Sequence, residues 1–159
     1  MKRKSHISER GGEQVTEYFV GHKTYKIDAK GRISIPANMR AALGQEFIVS
    51  RGVNKCLALY PMEVWVEMIN NILEKVSQKK RRALELHFSA NAEKMSLDGQ
   101  GRLLLNENLR SQVDLLGESQ AEIFGNNKRI EIWNCELFKK ELESVEEADI
   151  EDILDEYGI

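Results

Sequence analysis

One pattern occurs twice in this chain, and that repeat constrains the fold more than any other feature. The stretch Tyr25-Lys-Ile-Asp-Ala-Lys-Gly-Arg-Ile-Ser-Ile35 returns 70 residues later as Met95-Ser-Leu-Asp-Gly-Gln-Gly-Arg-Leu-Leu-Leu105. Asp28, Gly31, Arg32 and Arg40 meet Asp98, Gly101, Arg102 and Arg110 at that offset. The offset then slips to 73, pairing Gly44 with Gly117, Asn54-Lys55 with Asn127-Lys128 and Tyr60 with Trp133. Self-similarity at a fixed period marks one structural unit used twice. A unit of about 45 residues buries too little apolar surface to be stable alone. The two copies are therefore expected to fold against each other, with strands interleaved into one β-rich body.

Each copy reads β-turn-β-helix-β-β. Tyr25 and Ile27, then Ile33 and Ile35, alternate with polar residues at strand period. Asp28 to Arg32 forms the turn between them, since Asp bonds nearby amides and Gly31 tolerates positive φ. Parity turns Ile33 and Ile35 inward and Arg32 and Ser34 outward. Pro36 opens a short helix that Gly44 closes. In copy two, Asn106 is the expected N-cap and Gly117 the stop. Two further strands follow in each copy, Phe47–Ser50 with Leu57–Tyr60 and Glu122–Phe124 with Arg129–Trp133, joined by turns at Gly52-Asn54 and Gly125–Asn127. Trp65, Ile69, Ile72 and Val76 then make a helical stripe. A second helix runs from Ser77 to Phe88. The acidic C-terminal segment carries another stripe at Phe138, Leu142, Val145, Ile150, Ile153 and Tyr157. The expected organisation is a disordered extension over 1–17, unit 1 over 22–64, a helical connection over 65–92, unit 2 over 93–136 and an acidic helix over 137–159.

The chain's 159 residues, 31% of them charged and 42% hydrophobic, are ordinary for a globular protein. No apolar run approaches the ~18 residues of a membrane span. Lys2, Arg3 and Lys4 are followed by no apolar stretch, so no export is expected. Cys56 and Cys135 lie far apart, which fits a cytoplasmic chain without a disulfide framework. His6, His22 and His87 lie in separate segments, with no HExxH, CxxC, GxSxG or phosphate-cradling loop. No catalytic site, metal, cofactor or small-molecule substrate is expected.

The net charge of −3 hides a strong asymmetry. Residues 1–40 hold nine Lys/Arg against four Asp/Glu, whereas residues 136–159 hold two against ten. A basic front half permits a local anionic partner despite the negative total. Lys23, Lys26, Lys30, Arg32 and Arg40 cluster around the first turn, while copy two has Gln100 in place of Lys30 and Asp114 and Glu118 nearby. Copy one thus reads as the anion-facing side and copy two as scaffold. An outward guanidinium on a β-turn reaches a guanine edge bidentately, and surrounding lysines contact phosphates. The plainer alternative is an Asp–Arg pair that only shapes the hairpin. Lys79–Arg82 reads as a solvated helix face, His22 as a surface histidine, and Trp65 and Trp133 as core or subunit contacts.

Ile27-Asp-Ala-Lys-Gly-Arg-Ile-Ser-Ile-Pro36, Leu97-Asp-Gly-Gln-Gly-Arg102, Tyr60-Pro61, Trp65 and Ile130-Glu-Ile-Trp133 resemble the MraZ family of bacterial transcriptional regulators, which carry two AbrB-like units. The resemblance runs from about Phe19 to Trp133 and rests on the double DxxxR motif. It implies an α+β, β-rich fold of two AbrB-like units, an interleaved β-hairpin, barrel-like body with peripheral helices. It implies a closed homo-oligomeric ring such as an octamer, in the cytoplasm and on the nucleoid. It further implies binding of double-stranded promoter DNA at short direct repeats, repressing the division and cell-wall gene cluster. Arg32 matches the DNA-binding arginine, with Lys30 beside it, and Arg102 matches the second motif. A different class of function, an antitoxin-like AbrB-fold protein-binding module, also remains open.

Overall fold

The computed structural model describes residues 7–10, 13–16, 18–51 and 54–159. Strands β1 (Ile7–Arg10) and β2 (Glu13–Thr16) form an antiparallel ladder that joins no other described strand. The rest of the extension expected to be disordered lies outside the described residues, as does Gly52.

The first copy of the repeat supplies β3 (His22–Lys26), β4 (Arg32–Ser34), α1 (Ala37–Leu43), β5 (Glu46–Arg51) and β6 (Leu57–Pro61). Two helices follow, α2 (Met62–Lys75) and α3 (Gln78–Ala90). The second copy supplies β7 (Ala92–Ser96), β8 (Arg102–Leu104), α4 (Glu107–Gln112), β9 (Gln120–Asn126) and β10 (Arg129–Trp133). The chain closes with α5 (Cys135–Glu143) and α6 (Glu147–Glu156). The protein is α+β with antiparallel strand pairing, as the repeat predicts.

The copies are interleaved rather than side by side. The six-stranded sheet runs β3-β9-β10-β6-β5-β7. Each copy keeps its later hairpin, β5–β6 or β9–β10, and lends its first strand to the other copy's hairpin. Tyr25 of β3 pairs with Ala121 of β9, and Met95 of β7 with Phe47 of β5. The centre is the β6–β10 pair, with Leu59 opposite Ile130. A separate two-stranded ladder joins β4 to β8, with Arg32 opposite Leu104, Ile33 opposite Leu103 and Ser34 opposite Arg102. Neither copy could close its ladder hydrogen bonds alone.

Strand parity explains the core. Ile33, Ile35, Leu103 and Leu105 are completely buried, together with Phe47, Leu57, Leu59, Ile123, Ile130 and Ile132. These side chains form one cluster contributed by both copies, and each contributes roughly 1.5–3 kcal/mol by leaving water. Trp133 and Phe138 build a smaller cluster with Cys56.

Three local expectations change. The helix expected to run to Gly117 stops at Gln112. Val113 and Leu115, two apart, are both fully buried, which one helical face cannot achieve, and Asp114 takes φ 56° between them. The acidic C-terminal segment is two helices, not one. Ser144 donates its hydroxyl to Glu141 O (2.6 Å) at the end of α5, and Glu146 is extended before α6 begins. Of the C-terminal stripe only Phe138 is buried, whereas Leu142, Val145, Ile150, Ile153 and Tyr157 are exposed. Finally, α3 continues to Ala90, two residues past the expected end. Trp65 packs against Tyr60 and Phe88, with ring centroids 5.3 and 5.9 Å away.

Candidate nucleic-acid interface

The two Asp-x-x-Gly-Arg turns have the same internal wiring. One Asp28 carboxylate oxygen accepts the amides of Lys30 and Arg32, both at 2.9 Å. The other accepts Arg32 Nε at 2.7 Å. Asp98 does the same with the amides of Gln100 and Arg102 at 2.9 Å and with Arg102 Nε at 2.8 Å. Gly31 and Gly101 complete the turns at φ 85° and 77°, where an L side chain is strained. The backbone amide of Arg32 is the main reason the Asp28 carboxyl is held down to about 2, with the Arg32 side chain and the Lys30 amide adding to it. The amide of Arg102 lowers Asp98 in the same way. Both aspartates are therefore ionised at neutral pH.

Because each aspartate engages Nε, it fixes the plane of the guanidinium while leaving the terminal nitrogens without a hydrogen bond among the described residues. A partly exposed guanidinium held this way is pre-oriented for a bidentate acceptor.

The β4–β8 ladder then joins what the sequence separates. Its register places Arg32, Ser34, Arg102 and Leu104 on the side opposite the buried Ile33 and Leu103. Arg32, Arg102, Asp98 and the exposed Leu104 line one shallow depression of about 350 Å³. Both arginines thus share one face, although only the first copy adds lysines to it.

The other sequence candidates fall in three places. Ile27 bridges Ile33 across the first hairpin, so alternation puts Lys26 on the side of Asp28 and Arg32, and Lys30 is exposed at the turn itself. Each arginine on this face is countered by its own aspartate, so the positive excess comes from Lys26 and Lys30. Their repeat mates are Ser96 and Gln100. Lys23 lies on the opposite side of β3, near Asn38 and Met39 of α1. Arg40 points between the copies: Nε donates to Ile35 O at 2.7 Å and the guanidinium packs against Gly101.

Two further groups have structural tasks. His22 Nδ1 and Thr24 Oγ1 each lie 2.7 Å from the buried Glu122 carboxylate, and the His22 ring packs on Phe138. Buried Glu131 accepts Asn126 at 3.0 Å, Arg129 at 2.7 Å and Trp133 Nε1 at 2.9 Å. Burial opposes ionisation of Glu131, but these three donors together hold its carboxyl below the usual range. Lys79, Lys80 and Arg82 are exposed on α3, and Arg81 pairs with Glu85 at 3.1 Å. Leu104 and Arg110 also belong to this region, and the charge pattern of the sequence marks neither. The signal for Arg110 was present, as each DxxGR arginine has another arginine eight residues on.

Comparison with known proteins agrees with this duplicated architecture. A family model described as "MraZ protein, putative antitoxin-like" matches twice, over residues 18–87 and 88–156. A protein of Lachnoclostridium phytofermentans named transcriptional regulator MraZ is 35% identical over 142 residues, covering 89% of this chain and 98% of its own length. Proteins with the same name from Halothermothrix orenii and Desulfitobacterium hafniense are 34% and 36% identical, each covering 82% of this chain and 90% of the relative.

Proposed function

The chain belongs to the MraZ family, and on that premise we propose that it is a DNA-binding transcriptional regulator whose recognition surface is the outer face of the β4–β8 ladder. One observation carries the reading: Arg32 and Arg102, 70 residues apart in sequence, share one face and are each locked at Nε by an aspartate with the rest of the guanidinium open. Arg32 is the principal base-reading residue and Arg102 its partner. Lys26 and Lys30 contact flanking phosphates, while Lys23, on the opposite side of β3, stands off this surface. Arg40, engaged with Ile35 and Gly101, acts on the surface indirectly.

A single ladder offers few contacts and binds weakly. A closed homo-oligomeric ring repeats it around a rim, and matching direct repeats on DNA then raise avidity by roughly 10²–10⁴. Repression of the division and cell-wall gene cluster, from a cytoplasmic, nucleoid-associated pool, is the regulatory role we assign to that assembly. Exposed apolar side chains at Ile150, Ile153 and Leu154 of α6 and at Tyr157 just past its end favour a second reading, a protein-binding module of antitoxin type.

The test is a mobility-shift assay of wild type and Arg32→Ala on the promoter of the division gene cluster, with light scattering on the same samples. Loss of sequence-specific binding in an unchanged oligomer supports the proposal. Unaffected specific binding removes Arg32 from the contact surface. Absence of specific binding by the wild type rejects the DNA reading and favours the protein-binding one.

A further inference from the structure

Each DxxGR turn is held from the other copy, and the hydrogen bonds are the same in both directions. Leu105 is the hub on one side. Its amide donates to Gly31 O at 2.7 Å, and its carbonyl accepts Arg110 Nε at 2.9 Å. The Arg110 guanidinium covers Gly31: a Cβ placed there would lie 3.5 Å from Nη2 and 3.6 Å from Cζ. Ile35 is the hub on the other side, donating to Gly101 O at 3.0 Å and accepting Arg40 Nε at 2.7 Å, while the Arg40 guanidinium covers Gly101.

We propose that Arg110, from α4 of the second copy, is the positioning residue for the Asp28–Arg32 turn of the first, acting on recognition through Leu105 and Gly31 without touching DNA. Its consequence for binding rests on the function proposed above. Arg110 is absent from the lining of the depression between Arg32 and Arg102, and its Nε is committed to Leu105. A planar guanidinium donates sideways through Nε while lying flat on a glycine. A lysine ammonium, a point donor on a flexible stem, does not do both. By the reciprocal geometry Arg40 positions the Asp98–Arg102 turn.

The test uses the full chain and the mild variants Arg110→Lys and Arg40→Lys, with Arg110→Ala as the stronger lesion. Amide hydrogen exchange is first followed without DNA. Arg110→Lys is expected to speed exchange at Leu105 and Arg32 about tenfold, the scale of one lost hydrogen bond, and to leave Ile35 and Arg102 unchanged. Arg40→Lys gives the opposite pattern. Binding is then measured on a duplex that the wild type selects from a random-sequence pool. Arg110→Lys is expected to weaken it about tenfold with the salt dependence unaltered, whereas a lost phosphate contact lowers the slope by about 0.9. Equal acceleration at both turns, or a lowered slope with unchanged exchange, overturns the proposal. If the wild type selects no duplex, the DNA reading fails while the exchange pattern still decides the positioning role.

Discussion

The Arg40 guanidinium lies against the α-carbon of Gly101 so closely that a Cβ there would overlap it, and Arg110 covers Gly31 in the mirrored position. The two glycines differ in what blocks a side chain. At Gly31 the obstacle is backbone, Leu105 O at 2.6 Å. At Gly101 the three nearest atoms all belong to the Arg40 side chain, held there by one hydrogen bond to Ile35 O. Both substitutions to Ala incur the left-handed penalty of roughly 1–2 kcal/mol. Gly31→Ala is expected to cost about 1–2 kcal/mol more than Gly101→Ala, because only an arginine can swing away. Denaturant melts of the two variants check the order.

Arg102→Ala separates one arginine surface from two. Since Arg102 shares the outer face with Arg32, its loss is expected to weaken specific DNA binding by about tenfold or more, the worth of one bidentate base contact. Titration of the variant against the wild-type target at fixed salt measures this. Binding indistinguishable from wild type would confine recognition to the first turn.

The turn itself has a defined acid limit. Asp28 titrates at about 2 in the folded chain against an ordinary 3.8. A depressed carboxyl contributes stability that is complete above its unfolded value and lost as pH falls through the folded one. The first turn should therefore stay wired through pH 4 and loosen between about 4 and 2. The Asp28 carboxyl carbon shift in an NMR titration reads the midpoint directly. In Asp28→Asn the Arg32 amide should show no transition in that window.

The two cysteines should react very differently. Burial, with nearby Glu131 adding, pushes the Cys56 thiol up to about 12, while Cys135 is raised but only half-buried. The thiolate is the reactive species. Iodoacetamide at pH 8 is expected to label Cys135 first and Cys56 only after unfolding, as mass spectrometry of timed samples would show.

Glu131 holds three donors in a buried site, so removing it strands Arg129 without its partner. Glu131→Ala is expected to destabilise the fold by about 1–3 kcal/mol, chiefly by leaving the buried Trp133 Nε1 unpaired, whereas Glu131→Gln keeps an acceptor and costs less. Trp133 donates to the same carboxylate, so its fluorescence reports both the melt and any local loosening.

Local chemistry made much of this protein legible in its residues. Alternation at Ile33 and Ile35 assigned the outward side of Arg32. Asp28 and Gly31 specified a turn, Asn106 a helix start, and the repeat itself announced two copies that could not stand alone. These are properties of spacing and of side chains acting within a few residues of their own backbone. What the residues left open depends on pairing between distant segments. Nothing local says that β3 joins β9, or that β4 joins β8 in the register that brings Arg32 and Arg102 to one face. Arg40 reads as one more cation beside a basic hairpin until the fold places Gly101 beneath it. Val113 and Leu115 end a helix early because the core of both copies needs them, a demand that exists only once the copies are packed. Tertiary structure decided these points because hydrogen bonds and burial between residues far apart in sequence are set by the whole ladder, not by any segment of it.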